Sequence, residues 1–262
     1  PHMNEELALF GDNVRRFIAE EIAPHNEQWE QAGIFPRELW NKLGEQGLLG
    51  VDIPEEYGGF GTDFMFSMVI QEAFSRCNCP AVGGPMAVHS DIVAHYILNH
   101  GTEAQKHHYL PRMVSGECVG AVAMTEPGAG SDLQAIRTTA KPDDGGYVIN
   151  GSKTFITNGQ HCDMVIVVAR TNPDVAGAKG TTLFMVDTDN PGFKRGRNLG
   201  KIGLHASDTS EMFFEDLRVP ASSILGELDR GFAVLMGELE RERLALAIGG
   251  VASAEVVLAE TV

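Results

Sequence analysis

The segment Gly120–Leu133, GAVAMTEPGAGSDL, divides this chain into two textures. A short apolar strand runs into Thr125-Glu126-Pro127-Gly128-Ala129-Gly130-Ser131-Asp132. Two glycines let backbone N–H groups approach a ligand closely, and Thr125 and Ser131 add hydroxyl donors, which suits a phosphate or the polar edge of a ring. A tight turn between strands would use the same residues. A dinucleotide fingerprint is excluded, because the third glycine is missing and no βαβ unit follows.

Upstream, from Asn4 to about Glu117, the pattern is helical. LALFGDNVRRFIAEEIAP sets Leu7, Phe10, Val14, Phe17 and Ile22 near one face and is expected to stop at Pro24. ELWNKLGEQGLLG, FMFSMVIQEAFSR, GGPMAVHSDIVAHYILNHG and EAQKHHYLPRMVSGE read as further helices, with the breaker-rich IPEEYGGFGTD between them. Downstream the period falls to two. YVINGSKTFIT, MVIVVAR, TTLFMVD and SEMFFEDLRV read as strands separated by DDGG, NG, DNPG and HASD turns. The Asn150-Gly151 pair is expected to turn a hairpin whose second strand points Phe155 and Thr157 to one face. An aromatic ring beside a hydroxyl suits a flat heterocycle, and Phe155 alone would equally fill a core.

From Glu227 the chain is helical again and reaches Val262 without a capping Gly or Pro. Its apolar stripe, Leu235, Leu239, Glu242, Leu246 and Gly249, contains a carboxylate where the spacing calls for a Leu. Either Glu242 is buried for a reason, or this face is solvated and Glu238–Arg241 and Glu240–Arg243 pair along it. A helix this apolar needs partner helices, so the chain is expected to be a fragment of a longer protein. Pro1-His2-Met3 reads as a cloning remnant.

Composition narrows the partners. The 262 residues hold 20 Lys and Arg against 36 Asp and Glu, a formal charge of −16. That balance disfavours nucleic acid and anionic membrane. No run of 18 apolar residues predicts a membrane span. Cys77, Cys79, Cys118 and Cys162 lack C-x-x-C spacing and read as reduced thiols of an intracellular protein. His107-His108 reads as a polar helix face, and no metal site is expected.

The succession MTEPGAGSDL, INGSKTFITNG, GLHASDTSEMFFEDLRVP and GFAVLMGELERERLALA resembles the acyl-CoA dehydrogenases along nearly the whole chain. The resemblance implies an α+β multidomain fold: an N-terminal all-α domain (4–117), a middle antiparallel β-sandwich or barrel-like domain (118–226), and the first helix of a C-terminal bundle (227–262). It implies FAD and the conversion of an acyl-CoA to a trans-2-enoyl-CoA in fatty acid β-oxidation. Val122, Met124, Thr125, Gly128, Gly130 and Ser131 would line the flavin, with Phe155, Ile156 and Thr157 flanking its ring. Ser131 would also touch the CoA ester, the loop Ala178-Lys179-Gly180 would be another CoA contact, and Glu240 and Arg243 would bind the CoA portion near the helix. Most of the family carries its catalytic Glu further downstream, but long-chain and isovaleryl members carry it on this helix just before an Arg. Glu242, followed by Arg243, matches that position. The ERERL segment and the Phe of KTFITNG look most like the long-chain members, and Gly83 and Gly84 either leave room for an acyl tail or permit a close helix crossing.

The implied partners are an acyl-CoA, an electron-transfer flavoprotein and three further copies in a homotetramer. The implied location is the cytoplasm of a bacterium or the mitochondrial matrix of a eukaryote. Two rivals are an acyl-CoA oxidase, which passes electrons to oxygen, and a non-catalytic acyl-CoA- or flavin-binding scaffold.

Overall fold

The computed structural model describes residues 4–175 and 179–262, so the expected remnant at residues 1–3 and Ala178 of the CoA-contact loop lie outside the described residues. Helix α1 (Glu5–Phe17) starts at Asn4, whose side chain accepts from the Leu7 amide at 2.8 Å. Glu5 and Glu6 occupy its first turn and Arg15 and Arg16 its last, each complementing the helix dipole. Pro24 does not stop the helical path as expected. A π turn (Ile18–Ile22) leads into a 3-10 turn (Ala23–His25) that accepts the proline near its start, where no amide hydrogen is needed. α2 (Asn26–Ala32) follows and ends at left-handed Gly33.

α3 (Glu38–Glu45) and α4 (Phe64–Arg76) flank the breaker-rich loop, and Asp63 caps α4 by accepting from the Met65 amide. α5 (Pro80–Ala87) passes through a π turn (Val88–Val93) into α6 (Ala94–His100). α7 (Glu103–Val114) opens with a Thr102/Gln105 capping box. His107 and His108 lie exposed on α7, as the sequence suggests.

The strands are β1 (Gly120–Ala123), β2 (Thr139–Asp143), β3 (Gly146–Thr157), β4 (Met164–Arg170), β5 (Thr181–Asp187), β6 (Phe193–Asn198), β7 (Thr209–Pro220) and β8 (Ile224–Leu225). Their order is β6-β7-β3-β2-β4-β5-β8, and β1 joins beside β4. Pairing is antiparallel, that of β4 with β5 included, except where β1 runs parallel to Met164–Val167 and β2 meets β4 in parallel at Arg170 alone. Ala121, Val165, Val167 and Phe184 pack with Ile149, Met212, Phe214 and Leu217 in one buried apolar cluster. Alternate residues of the same strands, among them Ile166, Val168 and Leu183, pack outward onto α6, α7 and the start of the last helix. The fold class is therefore the expected one.

The expected Asn150-Gly151 hairpin does not form. β3 runs straight through it against β7, with irregularities at Ile149/Gly151 and Lys153/Ile156 that absorb the turn-prone residues. Gly151, at φ +156°, sits where an added Cβ would lie 2.4 Å from Thr138 Oγ1, so close approach explains it. The last helix, α8 (Gly231–Thr261), lies across α4 and α6. By length and composition α8 is the one helix among the described residues long and apolar enough to cross a membrane, although it holds no unbroken run of 18 apolar residues.

Candidate active site

Two neighbourhoods carry the chemistry-bearing residues. The first is the turn after β1. Glu126 and Ala129 exchange both backbone hydrogen bonds at 3.0 Å, so the segment is a tight turn as well as a candidate cradle. Beneath it Lys153, with a fully buried side chain, donates to Met124 O and to Glu126 Oε1, each at 2.9 Å. Burial lowers the lysine to about 8, against the pull of Glu126. The Glu126 carboxylate also accepts from the Arg137 and Thr138 amides. Thr154 N donates to Thr125 O, which ties β3 to the turn.

This bracing brings the predicted cofactor residues together. Val122, Met124 and Thr125 are half-buried, while Gly128, Gly130 and Ser131 are exposed. No atom lies within 4 Å of a Cβ added at Gly128 or Gly130, so these glycines leave the surface open rather than filling a packed corner. Phe155 has φ +58° and its ring is 66% exposed, while Ile156 turns into the sheet interior. A left-handed backbone at a bulky residue is strained, and such strain persists where it serves a site. The alternative of Phe155 as core is thereby excluded. An exposed flat ring beside half-buried Thr157 and an open glycine turn fits a planar heterocycle such as a flavin.

The second neighbourhood is α8. Glu242 is buried at 8% exposure and accepts from the Tyr96 hydroxyl at 2.9 Å. Burial raises its pKa above the ordinary value, Tyr96 opposes the rise, Glu238 adds to it and Arg243 opposes it. The two surface pairs offered as the alternative do not form. Arg241 instead reaches inward to Asp52 and Asp91 and lies 4.3 Å over the Phe64 ring. Asp52 also meets His95 at 3.1 Å. Glu238 accepts from Asn99 at 3.0 and 3.2 Å and from His100 at 2.8 Å. The buried face of α8 is thus Gly231, Val234, Leu235, Glu238, Glu242, Ala245 and Ala252, and not the predicted stripe, since Leu246 is 70% exposed. Glu238, Tyr96 and the Arg241 network escaped the sequence. The one signal, for Glu238 and Arg241 alone, was an excess of charged side chains on a helix otherwise apolar.

A groove of 270 Å³ opens beside Glu242, between α4, α5 and α8. Phe74, Pro80, Gly84, Val88, Ile92 and Ala245 line it among others. Val88 and Ile92 also pack in the cluster that holds Val122 and Met124, so apolar contacts join the two neighbourhoods. Gly83 and Gly84 divide the two roles proposed for them. A Cβ on Gly83 would lie 2.7 Å from Phe74 Cβ, whereas one on Gly84 meets nothing within 4 Å.

The predicted CoA contacts are scattered. Exposed Lys179 and buried Gly180 end the β4–β5 connection, and Gly180, at φ +85°, has a turn role of its own. That connection touches the start of α8 through the Thr171–Asp229 hydrogen bond. Glu240 and Arg243 are exposed and make no ion pair among the described residues. No group of three His, Cys, Asp or Glu suited to a metal occurs among the described residues.

Residues 4–117 match the family model for the acyl-CoA dehydrogenase N-terminal domain, and residues 121–217 match that for the middle domain. The chain is 50% identical to the long-chain specific acyl-CoA dehydrogenase of Sus scrofa mitochondria, over 98% of this chain and 60% of that protein. It spans about three fifths of the length of the curated relatives it matches. An acyl-CoA dehydrogenase crystal structure from Geobacillus kaustophilus superposes with a TM-score of 0.95 at 46% identity, covering 97% of this chain and 67% of that one. A Mycobacterium smegmatis glutaryl-CoA dehydrogenase in complex with FADH2 superposes at 0.89 and 29% identity, covering 97% and 64%.

Proposed function

Because the chain belongs to the acyl-CoA dehydrogenase family, we propose that its parent protein removes two hydrogens from an acyl-CoA, with Glu242 taking the α-proton. The observation that carries this reading is the carboxylate at 8% exposure beside an apolar groove. A carboxylate short of solvent is a stronger base than one in water, and its raised pKa brings it nearer to working pH. Bound FAD would accept the hydride equivalent that leaves the β-carbon. The α C–H bond gives its proton to Glu242, its electron pair becomes the new carbon–carbon π bond, and the product is a trans-2-enoyl-CoA.

Val122, Met124, Thr125, Gly128, Gly130 and Ser131 would hold the cofactor, with Phe155 and Thr157 bordering its ring and Ile156, its side chain buried in the sheet, offering only backbone there. Ser131, Lys179, Gly180, Glu240 and Arg243 would meet the CoA portion. From Gly231 to Glu242 α8 rises by about 16 Å, room for an extended thioester arm between the β4–β5 connection and the base. The groove favours a long acyl chain, because Gly84 leaves it open on the side away from α8. Electron-transfer flavoprotein as acceptor, a homotetramer, and a matrix or bacterial cytoplasmic location belong to the same reading. So do the boundaries 4–117, 118–226 and 227–262.

The test is anaerobic titration of the full-length, FAD-loaded protein with acyl-CoAs of rising length. Glu242→Gln is expected to bind FAD but to slow flavin bleaching by about 10²–10⁴-fold, the usual contribution of a positioned base, because its neutral replacement cannot accept the proton. Bleaching of the variant at the parent rate would remove Glu242 from the mechanism. Peroxide formed in air at the turnover rate, without electron-transfer flavoprotein, would make the protein an oxidase.

A further inference from the structure

We infer that Tyr96 is the positioning residue for the base, holding Glu242 by one oxygen so that the other faces the groove. This rests on the reading of Glu242 as the proton acceptor and goes beyond it. Tyr96 lies on α6 with no exposed surface, and its hydroxyl donates to Glu242 Oε1 at 2.9 Å. Glu242 Oε2 accepts no hydrogen bond among the described residues, and Glu242 lines the groove. A carboxylate bound at one oxygen loses rotational freedom but keeps a lone pair for a substrate proton.

The hydroxyl suits this task better than a cation would. It stabilises the ionised carboxylate without the strong attraction that would hold the pKa at its ordinary value or below. Burial and the neighbouring carboxylate push the tyrosine's own pKa far up, so it stays a donor at every working pH and is no rival base. A second rung of the same interface lies one turn away, where Asn99 and His100 hold Glu238. The charged groups facing Glu242 are therefore countable. Tyr96 reaches it from α6, Glu238 and Arg243 share α8, and Asp91 lines the same groove from the π turn. Asp91 is answered by Arg241, which also binds Asp52 next to His95, and His100 answers Glu238.

The experiment uses the full-length holoenzyme and three variants, Tyr96→Phe, Tyr96→Leu and Glu242→Gln. Two readouts are taken: the pH profile of kcat/KM, and the titration of the Glu242 carboxyl by NMR with ¹³C-labelled glutamate, assigned from the resonance missing in Glu242→Gln. Loss of the donor should move both the acid limb and the carboxyl titration up by about one pH unit in Tyr96→Phe. kcat should fall about tenfold with KM little changed, because the ring remains to pack. Tyr96→Leu should show the same limb shift, whatever it does to thermal stability. A limb and carboxyl titration unmoved in Tyr96→Phe, with Glu242→Gln inactive, would overturn the role of Tyr96 and leave the base in place. A shifted carboxyl with Glu242→Gln still active would overturn the base, and with it the purpose of the tyrosine.

Discussion

Asp208 is buried completely, yet only one of its oxygens is well served: Oδ2 accepts the Gln160 amide at 2.6 Å, while Oδ1 has no hydrogen-bond partner. Burial raises its pKa to about 6, against the Gln160 amide and the Lys201 charge. The folded carboxyl thus holds its proton more tightly than the unfolded one. Its contribution to stability is full below the ordinary aspartate value of 3.8 and lost as pH rises through about 6. Parent and Asp208→Asn should therefore diverge on going from about pH 3.5 to about 7, the parent losing at most ~3 kcal/mol relative to the variant. Urea unfolding at several pH values measures this, and a difference that stays flat or rises with pH contradicts it. Nothing in HASDTSEMFF separates Asp208 from an ordinary turn aspartate, because its burial depends on distant packing. Glu242 was legible for the opposite reason: its own helix supplied the apolar neighbours that made a charge conspicuous. Tyr96, a common core residue type, gave no such contrast until α6 and α8 were in contact.

At the scale of elements, α5 meets α4 closely through Gly83 and withdraws from it at Gly84. Gly83→Ala would drive a methyl group into the β-carbon of Phe74 and should cost about 1–3 kcal/mol, seen as a lower melting temperature. Gly84→Leu has open space and replaces a poor helix former, so the fold should keep or gain stability. The added side chain would enter the 270 Å³ groove. In the full-length protein Gly84→Leu should weaken bleaching by long acyl-CoAs about tenfold or more while sparing short ones. Equal effects on all lengths would show that the groove does not receive the acyl chain. Helices and the longer apolar strands followed from periodicity, the short or polar strands β2, β6 and β8 did not, and two further errors of element came from breakers. Pro24 sits in a turn that tolerates it, and Asn150-Gly151 lies inside a strand held on both sides by β2 and β7. Local turn propensity amounts to about 1 kcal/mol, which a full ladder of pairing outweighs.

On the scale of the whole molecule, α8 links the two neighbourhoods and also carries a strip of exposed apolar side chains, among them Leu244, Leu246, Val251, Val257 and Leu258. Its first half is fastened by the Arg241 network, Glu238 and Glu242, and the Arg76–Glu255 ion pair holds it further along. Beyond Ala252 no residue of α8 is buried, and Val257 and Leu258 are 62% and 63% exposed. Its passing the length and composition test for a membrane span has the same origin, since an apolar helix not yet covered resembles one meant for lipid. The two readings differ in what should cover it. Glu238, Arg241 and Glu242 are committed to partners in α4, α6 and the adjoining loops, which withdrawal into a bilayer would break. Relatives matched over about three fifths of their length point to further protein as the cover. Hydrogen exchange on this chain alone should show protected amides through the first half of α8 and rapid exchange from Val257 onward, because terminal turns open at little cost without tertiary contacts. In the longer protein the same amides should become slow, without added lipid. Fast exchange there that only anionic or neutral vesicles suppress would assign the strip to a membrane surface and detach α8 from the site proposed for it.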